Sequence, residues 1–320
     1  MSILRALAQT AATFGWPVAA AFLLLTGASV WAARTARVFR PERVLGPLRW
    51  RADESLSLFL ALIACGYAAM AVGGSIMYEL LGRLPEEQRT QLASPFVGIF
   101  TFACIVGASA AFRDCGVDRL GLRAARAPRG LLSGLVGIII VLPWIFWLML
   151  LALVLAGKLG IPLDPKQTEH PIFRMWQEPG ATRLFRILSL ISALAIAPLA
   201  EESFYRGLVQ TALLRAFSLR RFPGPISAQE PAPSSGPPPG VLDNATGPAA
   251  LPPMMRWAAI IGASALFASM HRPWFILPPI FLLSLGLGYV YERTGNLWAS
   301  IFMHMLFNGS QFAIFLLTRT

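Results

Sequence analysis

Apolar residues run along this chain in blocks separated by short polar connections, and the blocks have the length a lipid bilayer demands. A helix crossing the hydrocarbon core needs about 20 apolar residues. By that ruler eight spans are predicted, at about 11–33, 55–81, 93–112, 130–157, 184–206, 255–271, 274–291 and 297–317. The fold expected is an all-α polytopic helix bundle. Small residues recur in the early spans, as in Ala68-Ala69-Met70-Ala71-Val72-Gly73-Gly74 and Gly107-Ala108-Ser109-Ala110-Ala111. Such runs let helix backbones approach closely in lipid, where packing drives association.

Two places break the pattern. The apolar run from Leu184 to Leu199 ends in Ala200-Glu201-Glu202-Ser203-Phe204-Tyr205-Arg206-Gly207, and ionisable groups in such a setting default to function because they are expensive there. Glu202 and Arg206 are four apart and face each other on a helix, whereas Glu201 points about 100° away. The competing reading is that both glutamates neutralise arginines where the helix leaves the bilayer. The second break is His271-Arg272-Pro273, which joins two short spans. A hairpin that dips only partway would carry His271 deep into the membrane; a full crossing would leave the turn at the outer surface.

Composition agrees with the pattern. At 320 residues, 56% hydrophobic, 13% charged and a mean hydropathy of +0.60, the chain is too apolar for a soluble globular protein. The net charge of +11 would suggest nucleic acid in a soluble protein. Here the arginines crowd the connections, with Arg34, Arg37, Arg40, Arg43, Arg49 and Arg51 in the first and Arg113, Arg119, Arg123, Arg126 and Arg129 in the third. Positive charge kept on the cytoplasmic side accounts for this, so no nucleic-acid partner is expected. The alternation places both termini outside and the inner end of the fifth span, with Arg215, Arg220 and Arg221, in the cytoplasm. The expected location is a multi-pass protein of a bacterial plasma membrane, its site opening to the cytoplasmic side.

Cys65, Cys104 and Cys115 lie within or at the ends of apolar runs without metal-like spacing and read as packing residues. The first run lacks a convincing cleavage site and reads as a retained helix. From Phe222 to Pro253 the chain turns to proline, serine, glycine and alanine, a composition too poor in apolar surface to offset its ordering entropy. A disordered cytoplasmic linker over 222–253 is predicted, interrupting a catalytic part at 184–320 that follows N-terminal helices at 1–183.

Among the histidines, His170 sits in a polar outer connection beside Pro171 and reads as solvated. His271 and His304 belong to four-residue pairs, Phe267-x-x-x-His271 and His304-x-x-x-Asn308, and the second pair shares one helix face. Glu201-Glu202-x-x-x-Arg206, Phe267-x-x-x-His271 and His304-x-x-x-Asn308, in this order on separate helices, resemble the three motifs of the CPBP family, the CAAX prenyl proteases and bacteriocin-processing enzymes. Tyr205-Arg206-Gly207-Leu208-Val209-Gln210 and Gly295-Asn296-Leu297-Trp298-Ala299-Ser300-Ile301 fit the same pattern, and the resemblance spans about 184–312. The proline-rich insertion departs from it.

The resemblance implies an intramembrane endopeptidase acting on a membrane-associated peptide or protein. Amide hydrolysis needs an activated water, a stabilised oxyanion and a proton for the leaving amine. On this reading Glu201 is general base and later proton donor, His271 holds the same water, and His304 and Asn308 donate to the oxyanion. Glu202 and Arg206 form a structural ion pair, and Pro198 kinks the helix near Glu201. A zinc version would use Glu201, His271 and His304 as ligands with water in the open position, although no His-Glu-x-x-His segment is present. The alternative from another class is a non-catalytic membrane protein, a transporter or scaffold, on the same fold.

Overall fold

The computed structural model describes residues 16–35, 56–84, 86–113, 120–160, 171–178, 180–221, 251–271 and 276–317, and among these all regular structure is helical. In chain order come α1 (Trp16–Thr35), α2 (Leu56–Leu80), α3 (Glu86–Arg113), α4 (Ala127–Lys158) and the short α5 (Pro171–Gln177). A composite helix follows, in which α6 (Arg183–Ile191), α7 (Ala197–Glu202) and α8 (Thr211–Arg221) are joined by π-helical segments at Ser192–Ile196 and Ser203–Gln210. The chain then forms α9 (Pro253–Ser269), α10 (Leu277–Thr294) and α11 (Leu297–Leu317).

Five stretches among the described residues are long and apolar enough to cross a membrane: Leu56–Leu80, Leu92–Ala111, Ala124–Lys158, Arg183–Phe217 and Leu297–Leu317. They coincide with five of the predicted spans, and the protein is an all-α integral membrane bundle. Large apolar side chains such as Leu24, Trp31, Leu132 and Leu155 stay exposed on the outside, where lipid is their solvent. With 17 and 18 residues, α9 and α10 are the short pair anticipated from the sequence. Residues 272–275 of the turn between them, His170, Cys115 and residues 222–250 of the predicted linker lie outside the described residues. The chain is described again from Leu251, which is buried against Phe59, Ala212, Leu214 and Ala259.

Local chemistry sets the boundaries that matter. α6 starts at Thr182, whose hydroxyl accepts from the Phe185 amide at 3.1 Å, satisfying one of the donors orphaned at a helix start. α10 stops at Gly295, a left-handed position (φ 56°) whose amide bonds the Tyr291 carbonyl at 2.8 Å. α11 begins two residues later, so the last two helices form a tight pair.

α2 and α3 make a hairpin against the composite helix, α4 packs along α11, α10 and α1, and α9 lies on α10. Glycines on α4 set the closeness of the α4–α11 contact. A Cβ at Gly134 would stand 2.7 Å from the Ala299 carbonyl oxygen and 2.9 Å from the Met303 amide nitrogen. The central core joins Leu62, Ile105, Phe204, Leu208, Phe267 and Ile301, so the composite helix is packed from α2, α3, α9 and α11 at once.

Candidate active site

The composite helix delivers the two adjacent carboxylates, and its geometry there is not plain α. In the first π-helical segment the Ala197 amide reaches back five residues to the Ser192 carbonyl, and Pro198 opens the short α-helical turn that carries Glu201 and Glu202. A second wide segment follows directly, with the Thr211 hydroxyl bonding the Arg206 carbonyl at 3.2 Å. Wide turns within α-helices concentrate at functional sites because each re-aims the residues beyond it. A π-helical segment thus ends two residues before Pro198, where the sequence predicts a kink.

Glu202 is fully buried and makes two contacts: Oε2 lies 3.1 Å from Arg206 Nε, and Oε1 lies 3.0 Å from His304 Nδ1. The pair with Arg206 is the one predicted from their spacing; the bond to His304, which joins α7 to α11, has no counterpart in the sequence pattern. Arg206 also donates from Nη2 to the hydroxyl and carbonyl of Ser284 on α10, at 2.7 and 3.1 Å, and its guanidinium lies 4.9 Å from the Phe267 ring centre. A charge in this apolar setting is tolerable only with such partners.

Glu201 points elsewhere, as helix geometry requires. Its side chain is 35% exposed, and Oε2 stands 4.0 Å from His304 Nε2. His304 is therefore flanked by both glutamates, with Nδ1 on the buried one and Nε2 toward the open one. An ionised carboxylate only accepts, so Nδ1 carries the hydrogen and a neutral His304 presents a lone pair at Nε2.

His271 follows the last turn of α9, half-buried, with Nδ1 2.9 Å from the Phe267 carbonyl. The carbonyl also only accepts, so neutral His271 likewise keeps its Nε2 lone pair. The Phe267 ring packs near both imidazoles, its centre 4.7 Å from that of His271 and 5.9 Å from that of His304. Asn308, one turn beyond His304, donates from Nδ2 to the Ala193 carbonyl of the first π segment at 2.7 Å. The structure thus brings Glu201, Glu202, Arg206 and His304 into contact, sets His271 against the Phe267 ring and carbonyl, and ties Asn308 to the backbone.

No three His, Cys, Asp or Glu side chains among the described residues are grouped closely enough to hold a metal ion as they stand, so Glu201, His271 and His304 would have to draw together to ligate one.

Two supporting features are not apparent from the sequence. Ser284 sits in an apolar run, and an internal serine carries no signal until a buried arginine is known to face it. The second is a buried network in which Glu292 on α10 takes Arg256 Nη2 from α9 at 2.6 Å and Gln210 Nε2 from the composite helix at 3.1 Å. The available signal was an ionisable residue at an end of each short span, since such residues in membranes pair with one another.

Residues 183–310 match the family described as Rce1-like, type II CAAX prenyl endopeptidase Rce1-like. The matched segment begins with α6 and contains every residue of the site. No curated protein and no solved structure matches the chain.

Proposed function

We propose, from the match of residues 183–310 to the Rce1-like family, that this membrane protein is an endopeptidase whose chemistry resides in Glu201, His271 and His304. The carrying observation is the pair of unequal glutamates around one histidine: Glu202 buried at Nδ1, Glu201 half-exposed 4.0 Å from Nε2. A separation of that size admits one water at hydrogen-bonding distance, about 2.8 Å, from both groups.

In this reading Glu201 takes a proton from a water as the water oxygen bonds to the scissile carbonyl carbon. His271, with Nε2 as acceptor, holds the second hydrogen of that water. The carbonyl oxygen becomes an oxyanion, and His304 donates to it from Nε2 in its protonated form, which takes a proton from solvent at Nε2 before the attack, returns it after release, and has its charge balanced by Glu202. When the C–N bond breaks, the electron pair stays on nitrogen, which takes the proton from Glu201. The substrate is a peptide or protein at the membrane surface, entering from the cytoplasmic side, where the arginine-rich connections place the inner end of the composite helix.

A zinc site of Glu201, His271 and His304 is favoured by one observation. Both histidines turn Nδ1 to an oxygen, the arrangement by which metal-ligating imidazoles are oriented. Zinc would supply a polarised water in the same place, and it would require the three ligands to draw together.

The test uses purified protein in liposomes and a fluorescence-quenched peptide ending in a prenylated cysteine and three further residues. Glu201→Gln is expected to lower the cleavage rate by about 10²-fold or more. Cleavage at the normal rate by that variant overturns the proposal, and solute flux without cleavage would assign the buried groups to transport. Comparing membrane peptides from cells with the normal and the Glu201→Gln protein by mass spectrometry identifies the natural substrate.

A further inference from the structure

The Ala193 carbonyl lies where the backbone cannot supply a donor. Pairing in the Ser192–Ile196 segment runs five residues back, as the Ala197 amide to the Ser192 carbonyl shows. The next bond in that register would run from residue 198 to Ala193, and residue 198 is a proline without an N–H. A carbonyl left unpaired at membrane depth is costly because no water replaces the missing donor. Asn308 fills this place from another helix, its Nδ2 2.7 Å from the Ala193 oxygen.

The same turn is also held by α3. Ser94 and Ser192 hydroxyls are 3.3 Å apart, and Gly98 gives way to Ile196, whose Cγ2 would lie 2.7 Å from any Cβ at that glycine. Pro198 itself is buried. Glu201 follows Ala193 by eight residues, a little over two turns, and His304 precedes Asn308 by four, about one turn, so the Asn308–Ala193 bond ties together the two helices that carry the facing groups. The bond therefore sets the level at which Glu201 meets His304.

We propose that Asn308 is a positioning residue: its side-chain amide replaces the hydrogen bond that Pro198 cannot make, and so fixes the wide turn that aims Glu201 at His304. The inference rests on reading Glu201 as the base, and it assigns Asn308 to the helix backbone in place of the reacting carbonyl.

A double-mutant cycle between positions 198 and 308 tests it, using the full chain and the prenylated quenched peptide. In the Pro198 background, Asn308→Ala is expected to lower kcat by about 10²-fold with little change in KM, the scale of a misplacement of about 1 Å. Pro198→Ala restores an N–H beside the vacated carbonyl. In that background the same Asn308→Ala step is expected to cost less than about threefold, because the two changes are coupled. An equal loss in both backgrounds overturns the proposal and returns Asn308 to the oxyanion. Asn308→Leu, which keeps the bulk and drops the donor without adding a charge, replaces the alanine variant should that protein not survive purification.

If the normal protein does not cut the peptide, the endopeptidase reading fails by itself, and the cycle is read from unfolding midpoints in detergent. Asn308→Ala is then expected to lower the midpoint only when residue 198 is proline. An equal drop in both backgrounds overturns the positioning role.

Discussion

Glu202 holds His304 by a 3.0 Å contact to Nδ1 across two helices, while its other oxygen lies 3.1 Å from Arg206 Nε. One buried carboxylate therefore serves a cation on its own helix and an imidazole on α11. Glu202→Gln keeps the size but turns an amide toward one of these partners and leaves the Arg206 charge unbalanced. Breaking a buried pair in this way costs about 3–5 kcal/mol. The variant is expected to melt well below the normal protein in detergent and to lose activity as well. Glu201→Gln is expected to lose activity at an unchanged melting midpoint, because Glu201 is half-exposed and has no comparable partner to abandon. Equal effects of the two substitutions on stability would contradict this division.

Metal dependence separates the two chemical readings. With glutamate and the histidines acting directly on water, prolonged dialysis against a strong chelator is expected to leave the cleavage rate within about twofold of its starting value, since no step passes through an ion. The check is cleavage of the quenched peptide alongside elemental analysis of the same sample. Loss of both zinc and activity, with recovery on adding zinc back, would favour the ligand reading of Glu201, His271 and His304.

Gly134 tests how far the α4–α11 contact governs the site. The atoms that a new Cβ would meet, the Ala299 oxygen and Met303 nitrogen, belong to the backbone of the helix that carries His304 and cannot swing aside. Gly134→Ala is expected to destabilise by about 1–3 kcal/mol, the scale of overpacking, and to reduce activity by shifting α11 against Glu202. Gly107→Ala is the matched control, because among the described residues nothing lies within 4 Å of the place its new methyl group would take. Melting midpoints and cleavage rates of the two variants give the comparison.

Helices and motif residues were legible in the sequence because hydropathy and four-residue spacing are properties of a single segment. The Glu202–Arg206 pair is of that kind, and so is the shortness of α9 and α10. What spacing could not carry was which helix faces which. His304 and Asn308 share a face, yet one meets carboxylates and the other a backbone carbonyl, because the composite helix changes pitch between Ala193 and Glu202. Pro198 signalled an irregularity, but a single chain cannot reveal that the carbonyl it strands is served from a segment more than a hundred residues away. The role of Ser284 was invisible for the same reason: a polar group in an apolar run acquires meaning only from its neighbour in space.

The Arg256–Glu292–Gln210 network binds α9, α10 and the composite helix through bonds separate from the Glu201–His304 pair, so its energetics should separate from catalysis. Arg256 and Glu292 are 3% and 1% exposed, and the 2.6 Å contact between them must offset the desolvation of both charges. Removing one partner, as in Glu292→Leu, takes the 2.6 Å contact away from the other buried charge and is expected to cost about 3–5 kcal/mol. Replacing both, as in Arg256→Met with Glu292→Leu, removes the remaining buried charge as well and is expected to recover most of that loss. Gln210 keeps its bond to the Gly288 carbonyl at 3.2 Å in either case, which limits the damage to the composite helix. Melting midpoints of the normal protein, the two single variants and the double variant decide the point. A double variant less stable than either single one would show that the charges contribute more than mutual compensation. Because the contacts around Glu201 and His304 involve neither Arg256 nor Glu292, the double variant is also expected to cleave the quenched peptide at close to the normal rate.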